Sequence, residues 1–258
     1  MKIQLKENEE IEELGYNNWK IIQNKKEFCF GMDSIVLSDF AKDIATGSIV
    51  LDLGTGTGII GILLCGKSKL KKIIGIEIQE QVANMAMRSI QINNLQHKFT
   101  VMNEDINNLN KVFDNQSIDA IVTNPPYKKE NSGRLNENPA KLISRHECKC
   151  NLEGIVKQSS YLLKDHGTLY MVHRPERLAD ILVCLRNYKI EPKSIRFVHS
   201  REESEAKLVL VKAVKNAKPF LKVDKPLRVY DKENNYTTEL LEIYGSNKRG
   251  EVEESKID

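Results

Sequence analysis

Cysteine is scarce and odd in number: five residues, at positions 29, 65, 148, 150 and 184, in a chain of 258. Such a handful does not amount to a disulfide framework. Cys148-Lys149-Cys150 is a C-x-C pair with only His146 close by, short of the ligand set that zinc needs, so no metal is expected. Long apolar runs are missing as well. The stretch 59–65, which contains Gly61, falls far short of the roughly 20 residues of a membrane span. Residues 1–13 are acidic and hold no apolar leader core. These absences lead to the expectation of a cytoplasmic protein in a reducing compartment, with no membrane partner. Charge of one sign is also lacking, since 39 basic residues face 36 acidic ones. The balance is uneven, however: residues 193–232 hold eleven Lys or Arg against five Asp or Glu. That excess reads either as a solvated lysine-rich surface or as a surface facing phosphates.

The apolar share, 40%, is enough for one large α/β domain or a domain with a small appendage. Residues 1–13 are polar and expected to fray. Two short strands are expected near 21–22 and 28–30. Helical spacing runs over 32–44, with Asp33 as the expected N-cap. Then strands and helices alternate: strand 49–53, helix 59–65, strand 73–78, helix 79–93, strand 99–102 and strand 118–123. A polar segment, 128–151, separates these from helix 152–163, strand 167–172, helix 175–187 and strands 195–199 and 207–214. The charged stretch 245–258 is expected to be a disordered tail, leaving 14–244 as a single domain. Alternation with short connections predicts a mainly parallel sheet covered on both faces. The last two strands have no helix between them and can pair as an antiparallel hairpin at one edge.

Two stretches carry chemistry. Asp52-x-Gly54-x-Gly56-x-Gly58 lies between a strand and a helix, where alternate glycines let the backbone turn tightly and approach a ligand. Gly56-x-Gly58-x-x-Gly61 also matches the dinucleotide fingerprint. Glu77 ends the next strand and can accept both ribose hydroxyls of a nicotinamide cofactor or of a methyl donor. Asp105 follows the third strand and can accept from an adenine amino group. Either acid can instead be a solvated strand-end carboxylate. Asn124-Pro125-Pro126-Tyr127 separates the cofactor readings. The prolines cannot continue a ladder, so the strand stops where open α/β sheets bind ligands. An amide, a backbone carbonyl fixed by prolines and an aromatic ring suit a planar group bearing NH₂. Hydride transfer has no use for them.

At these residues the chain resembles a known family. Asp52-Leu53-Gly54-Thr55-Gly56-Thr57-Gly58 resembles the S-adenosylmethionine loop of class I methyltransferases, and Asn124-Pro125-Pro126-Tyr127 their amino-methylating motif. Residues 28–37, Ser144-Arg145-His146-Glu147 and 225–230 resemble one subgroup, the tRNA1(Val) adenine-N6 methyltransferases, which act beside the anticodon. The resemblance covers roughly residues 14–240. It implies a Rossmann-like seven-stranded mixed sheet with helices on both faces and the last strand antiparallel. It implies that Asp52, Gly54, Thr55, Gly56 and Gly58 hold the methionine part of S-adenosylmethionine, Glu77 the ribose and Asp105 the adenine. Asp33 belongs to the segment that covers the donor, and Asn124, Pro125, Pro126 and Tyr127 form the catalytic motif.

The motif by itself is shared with DNA amino-methyltransferases and glutamine-N5 protein methyltransferases. DNA enzymes of that kind usually add a recognition domain, for which no surplus of about 100 residues exists here. The glutamine enzymes place a helical domain ahead of the donor loop, and about 50 residues are a tight fit for one. Small-molecule acceptors stay open, but the basic excess after Lys193 gains weight because an RNA acceptor needs phosphate contacts, so RNA is expected, with the base flipped out or already unstacked. Tyr127, Arg145, His146 and the basic residues Lys212, Lys215 and Lys218 are the expected substrate contacts. The expected partner is tRNA, with no obligate protein partner.

Overall fold

The computed structural model describes residues 4–24, 26, 31–125 and 152–245. Its frame is built from buried strands whose neighbours alternate between two cores. β3 (Ile49–Leu53) turns Val50 towards one core and Leu51 and Leu53 towards the other, as a period of two requires. The same holds along β4 (Lys72–Glu77), β5 (Phe99–Asn103), β7 (Leu163–His173) and, beyond the irregularity between Ile118 and Ala120, β6 (Ile118–Thr123). With β8 (Ile190–His199) and β9 (Ala206–Lys215) these seven strands lie in the order β8-β9-β7-β6-β3-β4-β5. All pairs are parallel except those of β9, which runs antiparallel to both β7 and β8. The expected hairpin thus forms, with β9 inserted inside the sheet and β8 outside it. Two-residue strands, β10 (Lys222–Val223) and β11 (Leu227–Arg228), pair parallel to β8 and make this a nine-stranded sheet among the described residues.

Helices cover both faces. α1 (Met32–Phe40), α2 (Ile59–Lys67) and α3 (Glu80–Ile92) feed the first core, together with α7 (Thr238–Tyr244). α4 (Leu109–Val112), α5 (Leu152–Leu162) and α6 (Leu178–Asn187) feed the second. Each fully buried Leu, Ile or Val contributes about 1.5–3 kcal/mol of transfer free energy, so the two cores account for the three-layer arrangement.

Some expectations need correction. Residues 9–13 do not fray: β1 (Glu9–Glu13) pairs antiparallel with β2 (Lys20–Asn24). Arg88 on α3 clamps Glu9 with two 2.6 Å hydrogen bonds, and that guanidinium holds the Glu9 carboxyl below its ordinary pKa. The partner is 79 residues away, so a run of four glutamates around one isoleucine carries no local sign of it. Asp33 is not the N-cap of α1; Gly31 is, and Asp33 lies in the first turn. α1 ends at Phe40, before the expected 44. β8 begins at Ile190, five residues early, because Pro192 can stand in a strand at a bulge, where the β8–β9 register shifts. The structure also adds α7, capped by the Thr237 hydroxyl. The strand expected at 28–30, the polar segment, the Cys148–Cys150 pair and the tail beyond 245 lie outside the described residues.

Candidate active site

The chain leaves β3 outward to β4 and β5, then returns to place β6 on the other side of β3. Reversal of strand order opens a crevice at the carboxyl ends of β3 and β6. Leu53 pairs with Thr123, and the Thr123 hydroxyl donates to the Leu53 carbonyl at 3.0 Å. The glycine loop and Asn124, about 70 residues apart in sequence, therefore start from the same row of the sheet.

The loop is held from below. Gly54 N–H and Thr55 N–H both donate to the Ile76 carbonyl on β4. The buried Thr55 side chain faces inward, donating to Asp52 Oδ2 at 2.6 Å and packing over Gly75. What Thr55 offers a ligand is the shape of the loop. Gly54, Gly56 and Gly58 all have positive φ, and a Cβ on Gly54 or Gly56 would meet nothing within 4 Å, so this turn faces open space. Gly61 differs: its Cβ would lie 2.3 Å from the Phe99 ring, so this glycine lets α2 approach β5.

Two carboxyls flank the loop. Asp52 is completely buried, and its Oδ1 has no hydrogen-bond partner among the described residues. Burial pushes its pKa up to about 7; the Thr55 hydroxyl and the Gly61 N–H pull it back, and the Glu77 charge adds to the rise. A buried carboxyl with an unpaired oxygen beside an open glycine turn fits a cationic ligand group. Glu77, also buried, accepts from Gly56 N–H at 3.1 Å and Gln79 N–H at 2.9 Å. Burial raises its pKa too. Asn103 fixes the end of β4 by donating to the Glu77 and Ile78 carbonyls. Asp105 caps the short turn Ile106–Asn108 by accepting from the Asn107 N–H and side chain. A glycine turn, an acid at the end of the next strand and a third acid one strand further make a cradle suited to S-adenosylmethionine.

Asn124 completes the described part of the crevice. Its Nδ2 donates to Ser34 Oγ at 3.1 Å, which orients the amide. Ser34 was not among the residues expected from sequence. It is 4% exposed, a polar side chain inside the apolar run of α1, and that incongruity was the available signal. Asp33, its neighbour, accepts from the Ser34 N–H at 2.8 Å. α1 thus reaches the crevice through Ser34, with Asp33 beside it in the first turn. Pro125 is described; Pro126, Tyr127, Arg145 and His146 lie outside the described residues.

The three basic substrate candidates are not brought to this crevice. β9 is antiparallel, so its carboxyl end lies at the opposite edge of the sheet. Lys212 forms an ion pair with Asp43, which also accepts from Tyr170 Oη, and sits 5.3 Å from the Tyr170 ring centre. Lys215 is buried, donating to the Ser160 and Leu163 carbonyls at 2.6 and 2.7 Å. An ammonium held there cannot serve a phosphate, so Lys215 as a substrate contact is a correction: it caps the carboxyl end of α5. Lys218 is exposed, at the outer edge beyond β9. Among the described residues no cluster of His, Cys, Asp or Glu could hold a metal, and no helix is long and apolar enough to cross a membrane.

Comparison with known proteins fits this geometry. Residues 32–183 match the family model described as "Methyltransferase small domain". A Porphyromonas gingivalis protein named tRNA1(Val) (adenine(37)-N6)-methyltransferase is 29% identical over 185 residues, 70% of this chain and 72% of that protein. A Flavobacterium johnsoniae protein of the same name is 22% identical over 228 residues, 88% of this chain and 95% of that one. Among solved structures, a protein from Agrobacterium tumefaciens described as a "predicted O-methyltransferase" superposes with TM-score 0.67 at 19% identity, covering 83% of this chain and 96% of that one. A geranyl diphosphate C-methyltransferase from Streptomyces coelicolor, solved with S-adenosyl-L-homocysteine, superposes with TM-score 0.52 at 11% identity, over 70% of this chain and 80% of its own.

Proposed function

Because the chain belongs to the methyltransferase small-domain family and depends on S-adenosylmethionine, we propose that it methylates the exocyclic N6 amine of an adenosine in tRNA, next to the anticodon of tRNA1(Val). The family supplies methyl transfer. The name carried by its relatives supplies the adenine and the tRNA. The observation that carries the proposal is the pairing of Leu53 with Thr123, which sets the glycine turn beside an oriented Asn124 amide.

When bound, S-adenosylmethionine supplies an electrophilic methyl group on a sulfonium. Asp52 with the glycine loop would hold the methionine part, Glu77 the ribose hydroxyls and Asp105 the adenine. The residues at the β6 end prepare the acceptor. An adenine amine is a poor nucleophile because its lone pair is delocalised into the ring. Ser34 takes up Asn124 Nδ2, so Oδ1 is the corner of the amide that accepts an amine hydrogen. The Pro125 carbonyl accepts the other. Held this way the nitrogen pyramidalises and its lone pair points out of the ring plane. Fixing two reactants so closely can supply about 7–11 kcal/mol of barrier reduction. The amine attacks as a neutral group, so no base is needed before transfer, and the surplus proton leaves afterwards to water or the carbonyl oxygens. Tyr127 would stack on the base, worth about 1–3 kcal/mol.

Nucleoside mass spectrometry tests the proposal. Unmodified tRNA incubated with the protein and donor should yield N6-methyladenosine on digestion. Asn124→Ala should abolish product while S-adenosylhomocysteine still raises the melting temperature. Label confined to protein glutamine, or to DNA, would overturn the tRNA assignment.

A further inference from the structure

We propose that the outer edge of the sheet, built around Phe220 with Lys193, Lys218, Lys222 and Lys225, is a docking surface for the RNA substrate outside the catalytic crevice. The proposal rests on the tRNA reading above. Phe220 is 76% exposed and stands beside Leu221 and Val223, which is 62% exposed. So much apolar side chain in water, on one short segment, asks for a partner. The charge around it says which kind. Lys193 Nζ lies 5.9 Å from the Phe220 ring centre while donating to the Lys218 carbonyl. Lys218, Lys222 and Lys225 are exposed on the same segment. The one carboxylate between them, Asp224, is engaged by Ser194 and by Lys222. An exposed ring among cations is the equipment for stacking a base while holding the phosphates on either side.

The backbone adds an independent sign. Phe220 has φ +150°, a value that L residues seldom adopt, so the chain accepts strain while presenting an aromatic ring to solvent. Packing cannot be the reason, because the ring is exposed.

Position ties the surface to the crevice. Val223 pairs with Ile195, Ile195 with Val211, Val211 with Met171, and Met171 with Thr123, the residue before Asn124. The surface and the catalytic strand end therefore share one row of the sheet. Four inter-strand steps of about 4.8 Å separate them by roughly 19 Å, with Phe220 about 10 Å further from the crevice edge along the strand direction. Double-stranded RNA-binding folds track about 16 base pairs, a longer path, so one RNA arm can reach both places. The lysine-rich segment thus divides: Lys212 and Lys215 serve the fold, and the surface beyond β9 serves RNA.

The test uses the full chain with Phe220→Ala and with Lys193→Glu/Lys218→Glu/Lys225→Glu, measuring tRNA binding against salt and methylation kinetics. Phe220→Ala should raise the KM for tRNA about fivefold or more, the lower bound for loss of one stacked base, with kcat unchanged. The triple variant should flatten the slope of log affinity against log salt by about 2, as expected for three lost phosphate contacts. The S-adenosylhomocysteine-induced melting shift should stay at its wild-type value in both. Wild-type KM and salt slope in both variants would overturn the proposal. So would unchanged tRNA binding with loss of a dimer, or of binding to anionic vesicles, which would assign the surface to a second copy or to a lipid headgroup. Should the wild type bind tRNA without methylating it, loss of that binding in the variants would still uphold the surface while the tRNA-methylation reading falls.

Discussion

Lowering the pH from 8 to 6 should weaken binding of S-adenosylhomocysteine chiefly through Asp52. The group is fully buried, and burial drives its pKa from 3.8 to about 7. In the proposed role of holding an ammonium group it must be ionised, so the apparent dissociation constant would be the intrinsic one divided by the ionised fraction. With a pKa of about 7, that fraction is about one-eleventh at pH 6 and about ten-elevenths at pH 8, a change of about tenfold or about 1.4 kcal/mol. The free protein responds in the opposite sense. Between pH 3.8 and about 7 the folded state keeps a proton that the unfolded chain has released, so stability falls as pH rises through that window. Calorimetric titration of the ligand at pH 6, 7 and 8, with melting curves of the free protein at each pH, reads both effects. Asp52→Asn keeps a partner for the Thr55 hydroxyl and removes the charge; it should bind weakly and with a shallower profile, Glu77 being the other buried carboxyl at the site. A wild-type dissociation constant that does not move between pH 6 and pH 8 would refute the reasoning. So would an equal slope in Asp52→Asn.

Ser34→Ala removes the acceptor that orients Asn124. A hydrogen bond of this kind is worth about 0.5–1.5 kcal/mol, so kcat should fall about 2- to 12-fold while S-adenosylhomocysteine binding is retained. An unchanged kcat would remove Ser34 from the mechanism. Lys215→Met leaves the Ser160 and Leu163 carbonyls without their cation and should cost about 1–3 kcal/mol, read as a lower urea midpoint, with the KM for tRNA unchanged. A raised KM would return Lys215 to the RNA interface.

The frame was legible because its signals are local. Apolar β-branched runs such as 49–53 and 118–123, stopped by glycine or proline, read as buried strands wherever they end up. Helical spacing in 79–93 does the same for α3. The grouping of Asp52, the alternate glycines and Glu77 was legible for a related reason: they stand at strand ends, and a parallel sheet brings such ends to one edge. What misled was charge. A lysine reads alike in sequence whether its ammonium is solvated, paired as Lys212 is with Asp43, or buried as in Lys215. The glutamates of β1 likewise looked like a solvated terminus until Arg88 stood beside Glu9.

By itself, then, the sequence determined the order and type of the main elements, the glycine turn between β3 and α2 and the motif that stops β6. These follow from side-chain periodicity and from what glycine and proline do to a backbone. Tertiary structure alone decided that β6 lies against β3, so that two motifs about 70 residues apart share a row, and that Ser34 orients Asn124 across 90 residues of chain. It also decided which lysines face water. Register and ion pairing between distant segments depend on how the whole sheet is assembled, and no local pattern encodes them.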